Sequence, residues 1–404
     1  MSKFKESATL RASRIKKERL KNNLPVYDAG LGANPIKQPR LLIYSLTRHS
    51  NKKNYTSANG IDKLKETIIQ KYSNENYKVE NTLVLNGLKE MIFILLLAFK
   101  GTTVLLSPHW VSYEEQLRIL HKDYITLKTE DYNDYKIKPE ELDFNFSLIK
   151  GNKLFILNNP CNPTGVVYSK NELEEIAKIC KKHNVLVFAD EIYLDLVYDT
   201  EYTRSFSYYY EKTIVGCSLS KGYACGGYRL GWLTFPKVLD KLYRTMFRLS
   251  SSIISCASEP LQMVAISALT DSKKIFSFLE KERLLFEFVR DYVYGRLRRM
   301  NLRLSNTKSA WYIFVNFRNY QRLFNKLKIE TSTELSERLI NDIGLITVPG
   351  EAFGYKGFNL RYSFVDLNKK LINLELYNLD EILTEKLLIN IKKGLDELRN
   401  WLLS

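Results

Sequence analysis

Ser218-Leu219-Ser220-Lys221, followed by Arg229-Leu230-Gly231-Trp232, gathers an amine, two hydroxyls and a guanidinium into one short stretch. A lysine directly after a hydroxyl cluster, with an arginine eight residues later, suits a Schiff-base lysine beside a clamp for a phosphate dianion. Ser218 and Arg229 would supply the hydrogen bonds and the fixed charge of that clamp. Taken alone, Ser-x-Ser-Lys is an ordinary surface pattern, so its neighbours decide. In Ala189-Asp190-Glu191-Ile192-Tyr193 a carboxylate can pair with a protonated ring nitrogen and keep an electron sink charged. Tyr193 can then donate to a ring oxygen, although an isolated Asp-Glu pair after a strand reads first as a helix N-cap. In Asn159-Pro160-Cys161-Asn162-Pro163-Thr164-Gly165 two prolines and a glycine fix the loop, so the Asn162 amide can be aimed rigidly. In Leu85-Asn86-Gly87-Leu88-Lys89 a glycine before a helix start lets backbone amides meet a phosphate.

The elements that must carry these groups are visible in the apolar pattern. Leu154 to Leu157 and Val185 to Ala189 read as buried strands, as does Thr213 to Cys217. Between the first two, Asn171 to His183 reads as a helix with Leu173, Ile176, Ala177 and Cys180 on one face. Wholly apolar strands alternating with amphipathic helices predict a mostly parallel sheet covered on both faces. Ligands bind beyond the carboxyl ends of such strands, which is where Asp190, Asn162 and Lys221 fall. Met91 to Phe99 reads as a helix, and residues 272–300 as one long helix bridging two lobes. Strands at Tyr312 to Phe317 and Leu360 to Phe364, with a C-terminal helix carrying Leu383, Leu387, Ile391, Leu395 and Leu398, predict a smaller α+β lobe. The first forty residues are expected to pack on it.

Composition narrows the function classes. At 404 residues, 45% hydrophobic and 26% charged, the chain has the make-up of a globular protein with a sizeable core. The Met91 to Phe99 run is far short of a membrane span, which needs roughly 20 apolar residues. Lys3, Lys5 and Glu6 have no apolar block behind them, so no secretory signal is expected. Five cysteines, scattered without a C-x-x-C pair, argue against a disulfide framework and for a reducing compartment such as the cytoplasm. Four histidines without ligand spacing give metal chemistry no support. The net charge of +16 is weighted toward the N-terminal arm. Without a nucleic-acid signature it reads as a solvated basic face.

Taken together, the motifs resemble the class I/II pyridoxal-phosphate aminotransferases, of the aspartate-aminotransferase-like fold type I. The resemblance runs in order from Ser7-Ala8-Thr9 and Gly30-Leu31-Gly32 through Tyr55 to Gly60, Asn86-Gly87 and Ser107 to Tyr113. It continues through the Asn159 loop, Asp190 to Tyr193, Lys221 and Arg229, and ends at Pro349 to Gly354 and Arg361 to Phe364. It implies an α/β fold with a mostly parallel, seven-stranded-type sheet sandwiched by helices, and a smaller α+β domain from both chain ends. On that pattern residues 1–45 form an arm on the small domain, 46–285 the cofactor-binding large domain and 286–404 the small domain.

The resemblance also implies roles. Lys221 would form the imine with pyridoxal 5′-phosphate and move the proton. Asp190 would pair with the pyridine nitrogen, Asn162 and Tyr193 would bond the ring hydroxyl, and Trp110 would stack on the ring. Gly87, Leu88, Ser218, Arg229 and, as a helper, Ser220 would hold the phosphate. Tyr55 would reach the phosphate of a neighbouring subunit, implying a homodimer with shared sites. Arg361 would grip the substrate α-carboxylate, with Gly32 and Asn162 beside it. Lys89, at a position that meets a side-chain carboxylate in the aspartate- and prephenate-type branch, points to an acidic donor with 2-oxoglutarate as acceptor. Where the family usually has Gly-Glu-Pro-Asp, the chain reads Gly32-Ala33-Asn34-Pro35, and Ser309-Ala310-Trp311-Tyr312 lacks a common glycine. Both departures fall where substrate is lined, so a specialised substrate stays open. So do a C–S β-lyase or a cyclising enzyme on the same scaffold, and a cofactor-binding regulator using its basic arm on DNA.

Overall fold

A computed structural model of the chain describes residues 8–72, 74–199, 204–270, 272–375 and 382–404. Ser7 of the first matched motif, and Lys3, Lys5 and Glu6 of the N-terminal reading, lie outside these residues. The described strands are, in chain order, β1 (Tyr27–Asp28), β2 (Tyr77–Leu85), β3 (Thr102–Ser107), β4 (Tyr124–Lys128), β5 (Lys153–Asn158), β6 (Leu186–Asp190), β7 (Thr213–Ser218) and β8 (Gly231–Pro236). After the long helix come β9 (Arg303–Leu304), β10 (Tyr312–Asn316), β11 (Leu345–Ile346), β12 (Val348–Pro349) and β13 (Asn359–Ser363).

Seven strands form one sheet in the order β2-β8-β7-β6-β5-β3-β4. The pairs β3–β4, β3–β5, β5–β6 and β6–β7 are parallel, and β8 runs against both of its neighbours. The apolar strands are buried as their composition requires. Leu154, Phe155, Val187, Phe188, Ile214 and Val215 have no solvent exposure, and each such side chain stabilises the fold by about 1.5–3 kcal/mol relative to exposure. The Lys170–Lys182 helix covers one face through Leu173, Ile176, Ala177 and Cys180. It starts at a capping box in which Ser169 and Glu172 satisfy each other's backbone N–H groups. The Leu88–Ala98 helix covers the other face.

This arrangement brings several chain ends to one edge. Asn158 is in register with Asp190, Asp190 with Gly216, and Ser218 with Gly231. Because β8 is reversed, its first residue Gly231 stands beside Leu85, the last residue of β2. The ends of β2, β5, β6 and β7 and the start of β8 therefore share one rim.

The predicted long helix is present as Lys273–Arg299, capped by the Ser272 side chain on the Ile275 N–H. Beyond it, β12-β13-β10-β9 form an antiparallel sheet, in which Arg361 pairs with Phe314 and Ser363 with Tyr312. The Ala8–Lys21 helix joins this part of the molecule, with Arg11 paired to Glu337 at 2.7 Å. β1 extends β11 in parallel. The C-terminal helix is shorter than its apolar spacing predicts and runs Ile389–Leu403. Leu383 and Leu387 precede it in turns closed by Thr384 N–H to Ile382 and Leu387 N–H to Thr384; a four-residue apolar spacing is met by such turns as readily as by a helix. Among the described residues no helix is long and apolar enough to cross a membrane.

Candidate active site

The shared rim opens into a cavity of about 550 Å³. Eleven of the expected residues line it: Gly32, Leu88, Lys89, Trp110, Asn162, Asp190, Tyr193, Ser220, Lys221, Arg229 and Arg361. Three do not. Ser218 is buried at the end of β7, where its hydroxyl oxygen accepts the Ser220 N–H at 3.1 Å. Gly87 sits just behind the wall, and Tyr55 is 89% exposed on the outer surface.

Asp190 ends β6 and is followed by a turn and the single 3₁₀ turn Leu194–Leu196. It does not cap an α-helix, so the ordinary reading of an Asp-Glu pair does not apply. Its carboxylate accepts the Tyr113 hydroxyl and, at 3.3 Å, the Ile192 N–H. Burial pushes this carboxyl up to about 6, against the pull of those two donors and of the Lys221 charge. Tyr113 thus belongs to the site although it does not line the cavity; its ring also meets Trp110 edge-on at 5.2 Å. The sequence marks Tyr113 only as the end of the Ser107 to Tyr113 match, with no role.

Lys221 follows β7 and donates its amine to the Gly32 carbonyl. Its main-chain carbonyl accepts the Asn34 amide at 2.8 Å, and the same amide reaches Glu282 of the long helix. Burial holds the Glu282 carboxyl well above the usual range, against the pull of the Asn34 hydrogen bond. The segment that departs from the family pattern thus grips the lysine at both ends.

Arg361 lies in the middle of β13 and is 3% exposed. It donates to Asn162 Oδ1 at 3.1 Å and to the Gly30 carbonyl at 2.7 Å, while its Nε has no partner. Tyr312 and Arg361 are diagonal neighbours on adjacent antiparallel strands, so their side chains share a face. The guanidinium lies 4.5 Å from the Tyr312 ring centroid, within range of a cation–π contact. The Tyr312 hydroxyl meets Tyr193 at 3.1 Å and the Gly32 carbonyl at 3.2 Å. The sequence marked Tyr312 as the start of a strand and as part of a segment expected to line substrate, but its pairing with Tyr193 across 119 residues has no local signature.

At the other end, Gly87 precedes the Leu88–Ala98 helix with a φ of 96° and no capping side chain. A Cβ at Gly87 would stand 2.6 Å from Arg229 Nη2, so its absence leaves room for the guanidinium beside the open helix start. Arg229 itself is anchored by the Gly226 carbonyl at 2.9 Å. Lys89 reaches over Trp110 at 5.1 Å. Burial, then the charges of Arg229 and Lys221, pull its amine below the usual lysine value.

These residues fit a pyridoxal phosphate. The uncapped helix start and Arg229 form an anion cradle. Asp190 is a buried carboxyl whose charged form has only neutral hydrogen-bond donors, so a cationic ring nitrogen would complete it. The unpartnered Nε leaves Arg361 with donor capacity for a carboxylate.

Comparison with known proteins agrees with this arrangement. The chain is 29% identical over 385 residues to a probable aspartate/prephenate aminotransferase of Aquifex aeolicus, covering 92% of this chain and 95% of that protein. It is 30% identical to an aspartate aminotransferase of Pyrococcus abyssi, covering 81% and 83%. Its fold matches a Thermus thermophilus aspartate aminotransferase with maleate at a TM-score of 0.83 and 23% identity, covering 98% and 97%. The sequence model of aminotransferase class I and II matches residues 19–373, and the chain belongs to that family.

Proposed function

We propose that the protein is a pyridoxal-phosphate-dependent aminotransferase that moves an amino group from an acidic L-amino acid to a 2-oxo acid such as 2-oxoglutarate. The observation that carries this reading is the meeting of Lys221, Asp190 and the under-used Arg361 in one cavity. When bound, the cofactor supplies an electron-accepting ring that makes the substrate Cα–H acidic. Lys221 would hold the cofactor covalently, and its amine, once freed, would serve as the base and then the acid that moves the substrate Cα proton. Asp190 would keep the ring nitrogen protonated, and Tyr193 and Asn162 would bond the ring oxygen. Arg229 and the backbone N–H groups that start the Leu88–Ala98 helix hold the phosphate, with Gly87, Ser218 and Ser220 shaping that end. Trp110, which lines the same cavity, would stack on the ring and keep water from it.

Arg361 would fix the α-carboxylate through paired donors, and Gly32, having no side chain, leaves room for the Tyr312 hydroxyl beside it. Lys89, poised over Trp110, would meet a second carboxylate and so select acidic donors. Tyr55 points the same reading toward a homodimer: being 89% exposed, it is free to complete the phosphate site of a second copy. The five unpaired cysteines suit a reducing compartment, the cytoplasm.

The test is a half-reaction screen, in which purified holoenzyme is mixed with each common L-amino acid and the cofactor absorbance is followed. Aspartate and glutamate are expected to give the fastest change, with the matching 2-oxo acid released. Release of pyruvate and ammonia from cystathionine would establish a lyase instead. A protein that gains no cofactor band would refute the assignment.

A further inference from the structure

Tyr312 stands where three elements of the cavity meet. Its hydroxyl shares the Gly32 carbonyl with the Lys221 amine and faces the Tyr193 hydroxyl at 3.1 Å, while its ring lies 4.5 Å from the Arg361 guanidinium carbon. The two phenol rings meet edge to face, with centroids 5.7 Å apart. A Cβ at Gly32 would sit 2.7 Å from the Tyr312 oxygen, so this phenol keeps its place only because position 32 has no side chain.

A phenol has one proton to donate. With the Tyr312 proton on Gly32 at 3.2 Å, the contact between the phenols is made by the Tyr193 proton. Tyr193 then has no proton left to offer a ligand oxygen. We infer that Tyr312 is a positioning residue whose hydroxyl competes with the cofactor for the Tyr193 proton and whose ring holds Arg361 in place for the substrate carboxylate.

The inference rests on the proposed cofactor chemistry and adds a second phenol to it. Charges facing the pair act in the same sense. Burial raises the Tyr312 phenol, but Lys221 and Arg361 together with the Tyr193 hydrogen bond outweigh it and leave it below the usual tyrosine value. Tyr193, pushed up first by burial and further by Tyr312 and Asp190 despite the opposing pull of Arg361, stays well above that value. The surroundings thus pull the two phenols in opposite directions, Tyr312 down and Tyr193 up.

The test is a pH titration of the cofactor absorbance in the holoenzyme, alongside steady-state kinetics with the best donor. Tyr312→Phe removes the competing acceptor, so Tyr193 donates only to the cofactor ring oxygen and favours the form in which that oxygen carries the charge. The absorbance midpoint should fall by about one pH unit, the worth of one hydrogen bond. KM should stay within about threefold of native, because the ring still faces Arg361. Tyr312→Leu, which also loses the ring, should raise KM by roughly tenfold more. In a Tyr193→Phe background the Tyr312→Phe change should move the midpoint no further. Should Tyr312→Phe not fold, Gly32→Ala displaces the hydroxyl and should shift the midpoint the same way. An unchanged midpoint in Tyr312→Phe, or a KM as high as that of Tyr312→Leu, overturns the inference while leaving the cofactor assignment intact. A native protein that takes up no pyridoxal phosphate overturns both.

Discussion

Asp190 and Asn158 reach the cavity from the ends of adjacent parallel strands, whereas Arg361 and Tyr312 reach it from an antiparallel pair and Gly32 from a segment with no strand of its own. On the sheet side each functional group sits at a strand end or within four residues of one, and the ladder fixes its position. On the opposite side the groups hold one another. The Gly30 carbonyl takes Arg361, the Gly32 carbonyl takes Lys221 and Tyr312, and Asn34 takes the Lys221 carbonyl. The first wall can therefore lose a side chain and keep its shape. The second is a set of mutual contacts in which one change leaves several polar atoms unmet.

The largest effect should come from the sheet side. Lys221→Ala should abolish turnover and the covalent cofactor band while leaving the melting temperature close to native, as a scan of the two apo-proteins would show. Survival of near-normal transamination would break the comparison, since the central group of the rigid wall would then be dispensable.

Asp190→Asn should follow, costing on the order of 10²–10³ in kcat, the usual loss when one preorganised electrostatic partner is removed. It also carries a stability signature. The native carboxyl is raised from 3.8 to about 6, so the folded apo-protein binds its proton more tightly than the unfolded chain. Stability from this group is present below pH 4 and is lost as pH rises through 6. The Asn variant lacks that loss, so above pH 6 its apo form should gain on native by up to about 3 kcal/mol. Apo melting temperatures at pH 4.5 and 7 would check the sign. Glu191, pushed up to about 7 mainly by burial and in part by the Asp190 charge, adds a slope of its own, so the readout is the sign of the difference between the two proteins.

Arg361→Lys should cost less in kcat than Asp190→Asn and more in KM, roughly tenfold to a hundredfold. A lysine cannot serve Asn162, Gly30 and a substrate carboxylate together. If the second wall is as interdependent as its contacts indicate, this conservative change should also lower the melting temperature. Lys221→Ala should not.

The same contrast explains what the sequence disclosed. Asp190, Asn162 and Lys221 were legible because each follows an apolar run that can only be a buried strand, and ligands gather at such ends. The seven-stranded sheet and the Lys273–Arg299 helix were legible for the same reason. Tyr113 on Asp190, Tyr312 on Tyr193 and Asn34 on Glu282 were not, for they join residues 77, 119 and 248 positions apart. No periodicity encodes such a meeting. Ser218 was legible as a hydroxyl at a strand end, but not as one whose oxygen accepts a neighbouring N–H in its own turn. The start of the C-terminal helix was missed because spacing reports a face and not where the backbone bonds begin.

The reversed strand β8 has one further consequence. Because β7 leaves the rim and β8 re-enters it beside Leu85, the amine of Lys221 and the guanidinium of Arg229 ride on a single hairpin pinned at both feet. The number of residues in that hairpin acts as a ruler between the amine and the guanidinium. A single insertion between these two side chains would put the ruler out of scale.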